Sequence, residues 1–365
     1  MSPADWFAPL LRPELAELTA YVPAPIPAGA LRLDANESPW ALSAEARGSL
    51  AEALAGVALH RYPDVRATAL REAIAAEQGV HPDAIVLGCG SDEVIALVLN
   101  ALSAPRDGAS HATVLFPTPT FVMYRQTALS LGMRPHGVPL DERFDLALDP
   151  LRADLRRLRP NVVFLASPNN PTGNLFSRDR LAAVLSEAPD TLVVLDEAYA
   201  AFSGERYGDL ARAHPNAARL QTVSKVGLAA LRVGWAILPT GVAAAVEKVR
   251  QPYNLNALSQ AAALHCLTAL RAELDAAVQR IVAERARVEA LLRAIDGLDV
   301  NPTAANFWWI AVPDDAGRVS AAMRARGVVV RSFHAHGGAL TRRLRVTVGT
   351  PEENDAMLSA LRASL

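Results

Sequence analysis

Val162-Val163-Phe164-Leu165-Ala166 runs straight into Ser167-Pro168-Asn169-Asn170-Pro171-Thr172-Gly173. An unbroken apolar run that short reads as a strand buried on both faces, and two prolines and a glycine stiffen the turn after it. Similar runs recur at Ala84–Gly88, Ala112–Phe116, Leu192–Asp196, Leu220–Val223 and Gly234–Leu238. They alternate with helical patterns over Val65–Gln78, Ser91–Leu102, Phe121–Leu131, Arg178–Glu187 and Val242–Arg250. The alternation predicts an α/β layer, a mostly parallel sheet sandwiched by helices. The pattern then changes. Asn256–Ala294 reads as a long helical stretch broken near Arg271. Strand-like Asn306–Val312, Val328–Arg331 and Leu344–Val348 follow, alternating with helices over Asp315–Arg326 and Pro351–Leu365, which predicts a smaller α+β domain. The Pro-rich Tyr21–Gly29 reads as an extended arm.

With 365 residues the chain exceeds what one hydrophobic core usually holds, so two domains are expected. Hydrophobic residues at 51% and charged residues at 20% rule out a disordered or fibrous chain. A net charge of −2 with dispersed basic residues argues against a nucleic-acid binder. Two cysteines, Cys89 and Cys266, lie far apart and form no disulfide framework. The N-terminus lacks the basic and apolar regions of a signal peptide, and no apolar run reaches the ~18 residues of a membrane helix. A soluble, cytoplasmic protein is expected. One count says more. Of 36 basic residues only Lys225 and Lys248 are lysines. A lysine that survives such an arginine bias suits a position where only a primary amine serves, because guanidinium stays protonated and cannot do imine chemistry.

In an open α/β sheet the ligand sits beyond the carboxyl ends of the strands, so the residues that follow each strand matter. Gly88-Cys89-Gly90-Ser91-Asp92-Glu93 leads into a helix and suits either a phosphate or an ordinary N-cap. Asn169 and Asn170 stand between two prolines and present amides at the sheet edge. Asp196-Glu197-Ala198-Tyr199 ends a buried strand on a carboxylate. That suits an N-cap, or a cationic partner such as a protonated ring nitrogen. Ser224-Lys225 follows the next strand, and Arg232 stands seven residues on, able to return to the same anion.

The Asn-Pro-Thr-Gly turn, Asp-Glu-Ala-Tyr and Ser-Lys…Leu-Arg-x-Gly, in that order, resemble the fold-type-I aminotransferases that use pyridoxal 5′-phosphate (PLP). Leu33-Asp34-Ala35-Asn36-Glu37-Ser38-Pro39, Arg61-Tyr62-Pro63-Asp64, Pro252-Tyr253-Asn254 and Leu344-Arg345-Val346-Thr347-Val348-Gly349-Thr350 resemble the histidinol-phosphate aminotransferase branch. The likeness implies a seven-stranded sheet in a large PLP-binding domain over 36–252. Residues 253–365 would form the small domain, and 1–35 an arm and part of that small domain. It implies that Lys225 forms the internal aldimine and shuttles a proton, and that Asp196 keeps the pyridinium protonated. Asn170 and Tyr199 would bond the ring's phenolic oxygen. Gly90, Ser91, Asp92, Ser224 and Arg232 would hold the cofactor phosphate, with Phe121 stacked on the ring and Tyr124 in reserve. Many members place one more residue between the lysine and the arginine than this sequence does. Tyr62 would reach the phosphate in the neighbouring subunit of a homodimer with shared sites. The implied substrates are L-histidinol phosphate and 2-oxoglutarate, giving imidazole acetol phosphate and L-glutamate by ping-pong transfer. Arg331 and Arg345 would be the anion forks, and Tyr21, Asn36, Tyr253 and Asn306 would line the pocket.

Three other readings share these motifs: an aromatic or broad-range aminotransferase, a decarboxylase resembling threonine-phosphate decarboxylase, and an inactive PLP-fold binding module. The intact Lys225, Asp196 and Asn170 argue against the last. His334 and His336 have no third ligand at a recognisable spacing, so no metal site is expected.

Overall fold

All six apolar runs are strands in the computed structural model, which describes residues 8–20 and 26–365. In chain order the strands are β1 (Leu31–Leu33), β2 (Ile85–Cys89), β3 (Thr113–Thr118), β4 (Arg134–Pro139), β5 (Val162–Ala166) and β6 (Leu192–Asp196). They continue with β7 (Ala217–Thr222), β8 (Val233–Ile237), β9 (Asp299–Asn301), β10 (Phe307–Ala311), β11 (Val328–Ser332) and β12 (Arg343–Thr347). The larger sheet has seven strands in the order β2-β8-β7-β6-β5-β3-β4. Only β8 runs against its neighbours, β2 and β7.

Alternate residues of these strands bury opposite faces. Val114, Phe164, Val194 and Leu220 pack under helices Gly90–Ala101, Met123–Ser130 and Thr240–Glu247. Leu115, Val163, Leu165 and Leu195 pack under helices Leu148–Leu158 and Arg178–Glu187. Covering both faces is what makes the strands uniformly apolar.

The smaller sheet, β1-β11-β12-β10-β9, is backed by helices Arg271–Arg293, Ala316–Ala325 and Pro351–Arg362. The long helical stretch is interrupted at Ala269–Leu270, between Ala257–Thr268 and Arg271–Arg293. The N-terminal β1 lies parallel on β11, so the chain's start and its last third build one sheet.

Three elements escape the hydrophobic pattern. Strand β4 carries Pro135 and Pro139 and buries Val138 alone, which an edge position tolerates. Helix Ala44–Ala55 buries little more than Ala46. Helix Leu148–Leu158 shows a narrow leucine stripe among charges, with Pro150 in its first turn, where no amide hydrogen is needed. The helix expected from Val65 starts at Thr68 instead. Asp64 accepts hydrogen bonds from the Arg66 and Thr68 amides and holds the intervening residues in a turn.

Candidate active site

Parallel strands β5, β6 and β7 deliver their loops to one edge of the larger sheet. Lys225 sits there on the short 3₁₀ turn Ser224–Val226, closed by Gly227 at φ +102°. The lysine is half-buried, its Nζ 5.8 Å from the centre of the Tyr199 ring. Lys248 is exposed at the end of helix Thr240–Glu247, far from such company.

Asp196 ends β6 and is 5% exposed. Its Oδ1 accepts the Ala198 amide at 3.0 Å, and its Oδ2 accepts the Tyr124 hydroxyl at 2.6 Å. Burial pushes the carboxyl up to about 6, against the downward pull of those two bonds. Among the described residues no cation pairs with it. A buried carboxylate in that state favours a cationic partner.

Tyr124 is therefore not the ring that stacks on a cofactor. It is fully buried, its own ring stacked on Phe164 at 4.5 Å and 5°, and its hydroxyl is committed to Asp196. Burial holds that phenol well above its usual range. Phe121 is half-buried and edge-on to Tyr124 at 5.6 Å. No spacing rule links positions 72 residues apart, so the Tyr124–Asp196 bond was invisible in the sequence.

The segment after β2 forms an anion cradle. Gly90 has φ +79°, and a Cβ there would come within 2.5 Å of Arg232 Nη2, so only glycine lets the guanidinium lie over the helix start. Gly234 is equally constrained. A Cβ on it would strike the Ser91 amide nitrogen at 2.4 Å. This explains the glycine two residues beyond the arginine. Arg232 itself has φ +52° and pairs with Asp92 at 3.3 Å, so seven residues suffice to bring it back from Lys225 to the helix start. Ser224 Oγ lies 2.9 Å from Thr222 Oγ1, beneath the same turn.

The two asparagines of the β5 turn separate in role. Asn169 is fully buried, donates to Pro119 O and Thr172 Oγ1, and accepts from Thr120 Oγ1, so it locks the turn. Asn170 faces the site. Its Oδ1 accepts from Arg345 Nη1 at 2.7 Å, and because guanidinium only donates, the amide NH₂ must point the other way. Arg345 also donates to the Asp34 carbonyl and lies over the Phe307 ring.

Arg331 and Arg345 are direct partners across β11 and β12. Asn36, at φ +56°, gathers the rest: its Nδ2 donates to Tyr199 Oη at 2.9 Å, its amide to Thr347 Oγ1, and its carbonyl accepts from Asn306 Nδ2. Asn306 Oδ1 is buried and lacks a hydrogen-bond partner among the described residues. Tyr62 is 81% exposed and stacks on Tyr253 at 4.6 Å in the same chain. Tyr21 lies outside the described residues. Three of the residues expected in the site (Asn36, Arg232, Tyr253) hold positive φ without being glycine, a strain that accumulates where function over-determines the backbone.

The residues present fit PLP: a glycine cradle for its phosphate, a buried acid for its ring nitrogen, and an amine between them. This arrangement, on this sheet, belongs to the PLP-dependent transferases of fold type I. The sequence model for aminotransferase class I and II matches residues 28–361. The chain belongs to that family, within its histidinol-phosphate aminotransferases. Histidinol-phosphate aminotransferase 2 of Nitrosococcus oceani is 40% identical over 98% of each chain. The histidinol-phosphate aminotransferase of Chromobacterium violaceum is 41% identical over 96% of this chain and 97% of its own. The crystal structure of the Sinorhizobium meliloti histidinol-phosphate aminotransferase, in complex with pyridoxal-5′-phosphate, superposes with a TM-score of 0.84 at 26% identity, covering 97% of each chain. The protein is a PLP-dependent aminotransferase. No helix among the described residues is long and apolar enough to cross a membrane.

Proposed function

We propose that the protein moves the amino group between L-histidinol phosphate and 2-oxoglutarate, in the cytoplasmic biosynthesis of histidine. The observation that carries this reading is the pairing of Arg331 with Arg345. Like charges directly opposite on adjacent strands repel unless an anion bridges them. Both the phosphate of one substrate and the distal carboxylate of the other would supply that anion. The names of the relatives support the same choice.

When bound, PLP supplies the electron sink for the carbanion formed at the amine-bearing carbon. The chain's residues do the rest. Lys225 Nζ would take the proton from that carbon and deliver it to the cofactor's side of the carbon–nitrogen unit, not back to the same carbon. Asp196 Oδ2, steadied by Tyr124, holds negative charge beside the ring nitrogen. Asn170 Nδ2 and Tyr199 Oη donate to the phenolic oxygen, the first oriented by Arg345 and the second by Asn36. Gly90, Ser91, Asp92, Ser224 and Arg232 bind the cofactor phosphate. Phe121 covers the ring's face. Asn306, whose Oδ1 lacks a partner among the described residues, and Tyr253 line the substrate side.

Arg331→Ala should raise KM for the phosphorylated donor and for 2-oxoglutarate tenfold or more, from about 1.5–3 kcal/mol per lost charge-assisted bond. Arg345→Ala should raise both KM values and also lower kcat, since the Asn170 amide loses its clamp. Steady-state kinetics with both substrates separate the two effects. If unphosphorylated histidinol or an aromatic amino acid serves as well as the phosphate ester, the broad-range reading replaces this one. Carbon dioxide release from a phosphorylated amino acid would instead favour the decarboxylase.

The active sites are shared across a homodimer, with Tyr62 reaching the partner's cofactor phosphate. Its exposed ring on a rigid Arg-Tyr-Pro-Asp turn supports this. Mixing Lys225→Ala with Tyr62→Ala protein, each inactive, should restore part of the activity through hybrid dimers. Subunit exchange shown by native mass spectrometry, with no recovery, would remove the shared site.

A further inference from the structure

A second cleft lies on the other face of the larger sheet. Arg219 and Gln221 in β7 and Trp235 in β8 alternate with Leu220 and Ala236, which pack in the same core as Tyr124, so they point away from it. The outer part of the cleft, about 440 Å³, is lined by Arg206, Arg212, Arg219 and Arg271, with Glu77 and Asp209. The inner part, about 290 Å³, shares Arg206, Arg271 and Glu77 and is walled by Trp235, Val223, Val226 and Leu274 together with Glu197, Asp275 and Gln221.

The acids around this cleft are already committed. Glu77 pairs with Arg271 at 2.8 Å, Asp275 with Arg271 at 3.0 Å, Glu197 with Arg219 at 2.9 Å, and Asp209 with Arg178. Two of the four arginines, Arg219 and Arg271, are held in those pairs, and two are not. Neither Arg206 nor Arg212 makes an ion pair among the described residues. Arg219 is buried and gives Nε and Nη2 to Glu197. Its Nη1 and that of Arg212 approach one point, 3.3 and 3.5 Å from where a Cβ on Gly208 would stand. Both guanidinium groups thus border Gly208. In the inner part the indole Nε1 of Trp235 is buried and lacks a hydrogen-bond partner among the described residues.

We propose that this cleft binds a small amphiphilic anion. A phosphate or carboxylate head sits among Arg206, Arg212 and Arg219, and a flat apolar body lies along the inner part that Trp235, Val223 and Val226 help to line. Planar guanidinium forks suit either head. Thr222, Val223 and Val226 line the inner part and flank Ser224 and Lys225, while Glu197 directly follows Asp196.

Calorimetric titration of the holoenzyme with phenyl phosphate tests the proposal, with inorganic phosphate and benzoate as parallel titrants. Wild type should show two binding classes per chain, one at the substrate site and one here. Arg206→Ala/Arg212→Ala should weaken one class tenfold or more and leave kcat and KM in the absence of titrant unchanged, whereas Arg331→Ala should weaken the other class alone. The tighter of phenyl phosphate and benzoate identifies the head. A single class in wild type would overturn the proposal. So would unaltered binding by the double variant, or inorganic phosphate binding as tightly as its phenyl ester.

Discussion

Lys225→Arg should give a folded protein that has lost amino transfer by on the order of a thousandfold or more. The charge survives the exchange but the primary amine does not, and guanidinium neither forms a useful imine nor yields its proton near neutral pH. Lys225 is half-buried on its own short turn, with its Nζ 5.8 Å from the Tyr199 ring centre. Single-turnover kinetics measure the loss, and circular dichroism checks the fold. Borohydride treatment of wild type should fix the cofactor to the peptide containing Lys225. Label on Lys248, the exposed second lysine, would refute the assignment.

Asp196→Asn should lower turnover by roughly a hundredfold or more, because an amide cannot hold a proton on the ring nitrogen. The same variant has a second signature without cofactor. Burial lifts the Asp196 carboxyl from near 3.8 to about 6 in the folded chain. A raised acid contributes stability that is complete below its unfolded value and is lost as pH rises through the folded one. The ligand-free wild type should therefore lose up to roughly 3 kcal/mol between pH 4 and pH 6 from this group. The Asn variant lacks that loss, so its Tm relative to wild type should climb across the window. Parallel Tm curves for the two apo proteins would mean that Asp196 ionises without penalty. Near-normal single-turnover rates in the variant would assign the ring nitrogen to another residue.

The sequence carried the sheet well because its strands are buried on both faces, which leaves an unbroken apolar signature such as Val162–Ala166. Strand β4 left no such trace, since an edge strand buries one residue and tolerates prolines. Lys225 was legible through rarity, and Gly90, Gly234 and Arg232 through a motif whose steric logic the coordinates supply. The contacts that orient these groups were not legible. Tyr124 on Asp196, Arg345 on Asn170 and Asn36 on Tyr199 join residues 72, 175 and 163 positions apart, and no local pattern encodes such pairs. Residues that touch the cofactor are constrained by chemistry and recur as motifs. Those that aim them are constrained by folding and appear only in three dimensions.

Arg345 belongs to the smaller sheet and Asn170 to the turn after β5 of the larger, and one 2.7 Å hydrogen bond joins them. The guanidinium that would greet an incoming dianion is thus the one steadying an amide aimed at the cofactor's oxygen. On the proposed roles, drawing Arg345 toward a ligand would loosen that amide and change how strongly the chromophore's oxygen is held. The protein's own colour would then become an optical gauge of anion arrival, readable with dicarboxylates that carry no amine and cannot react.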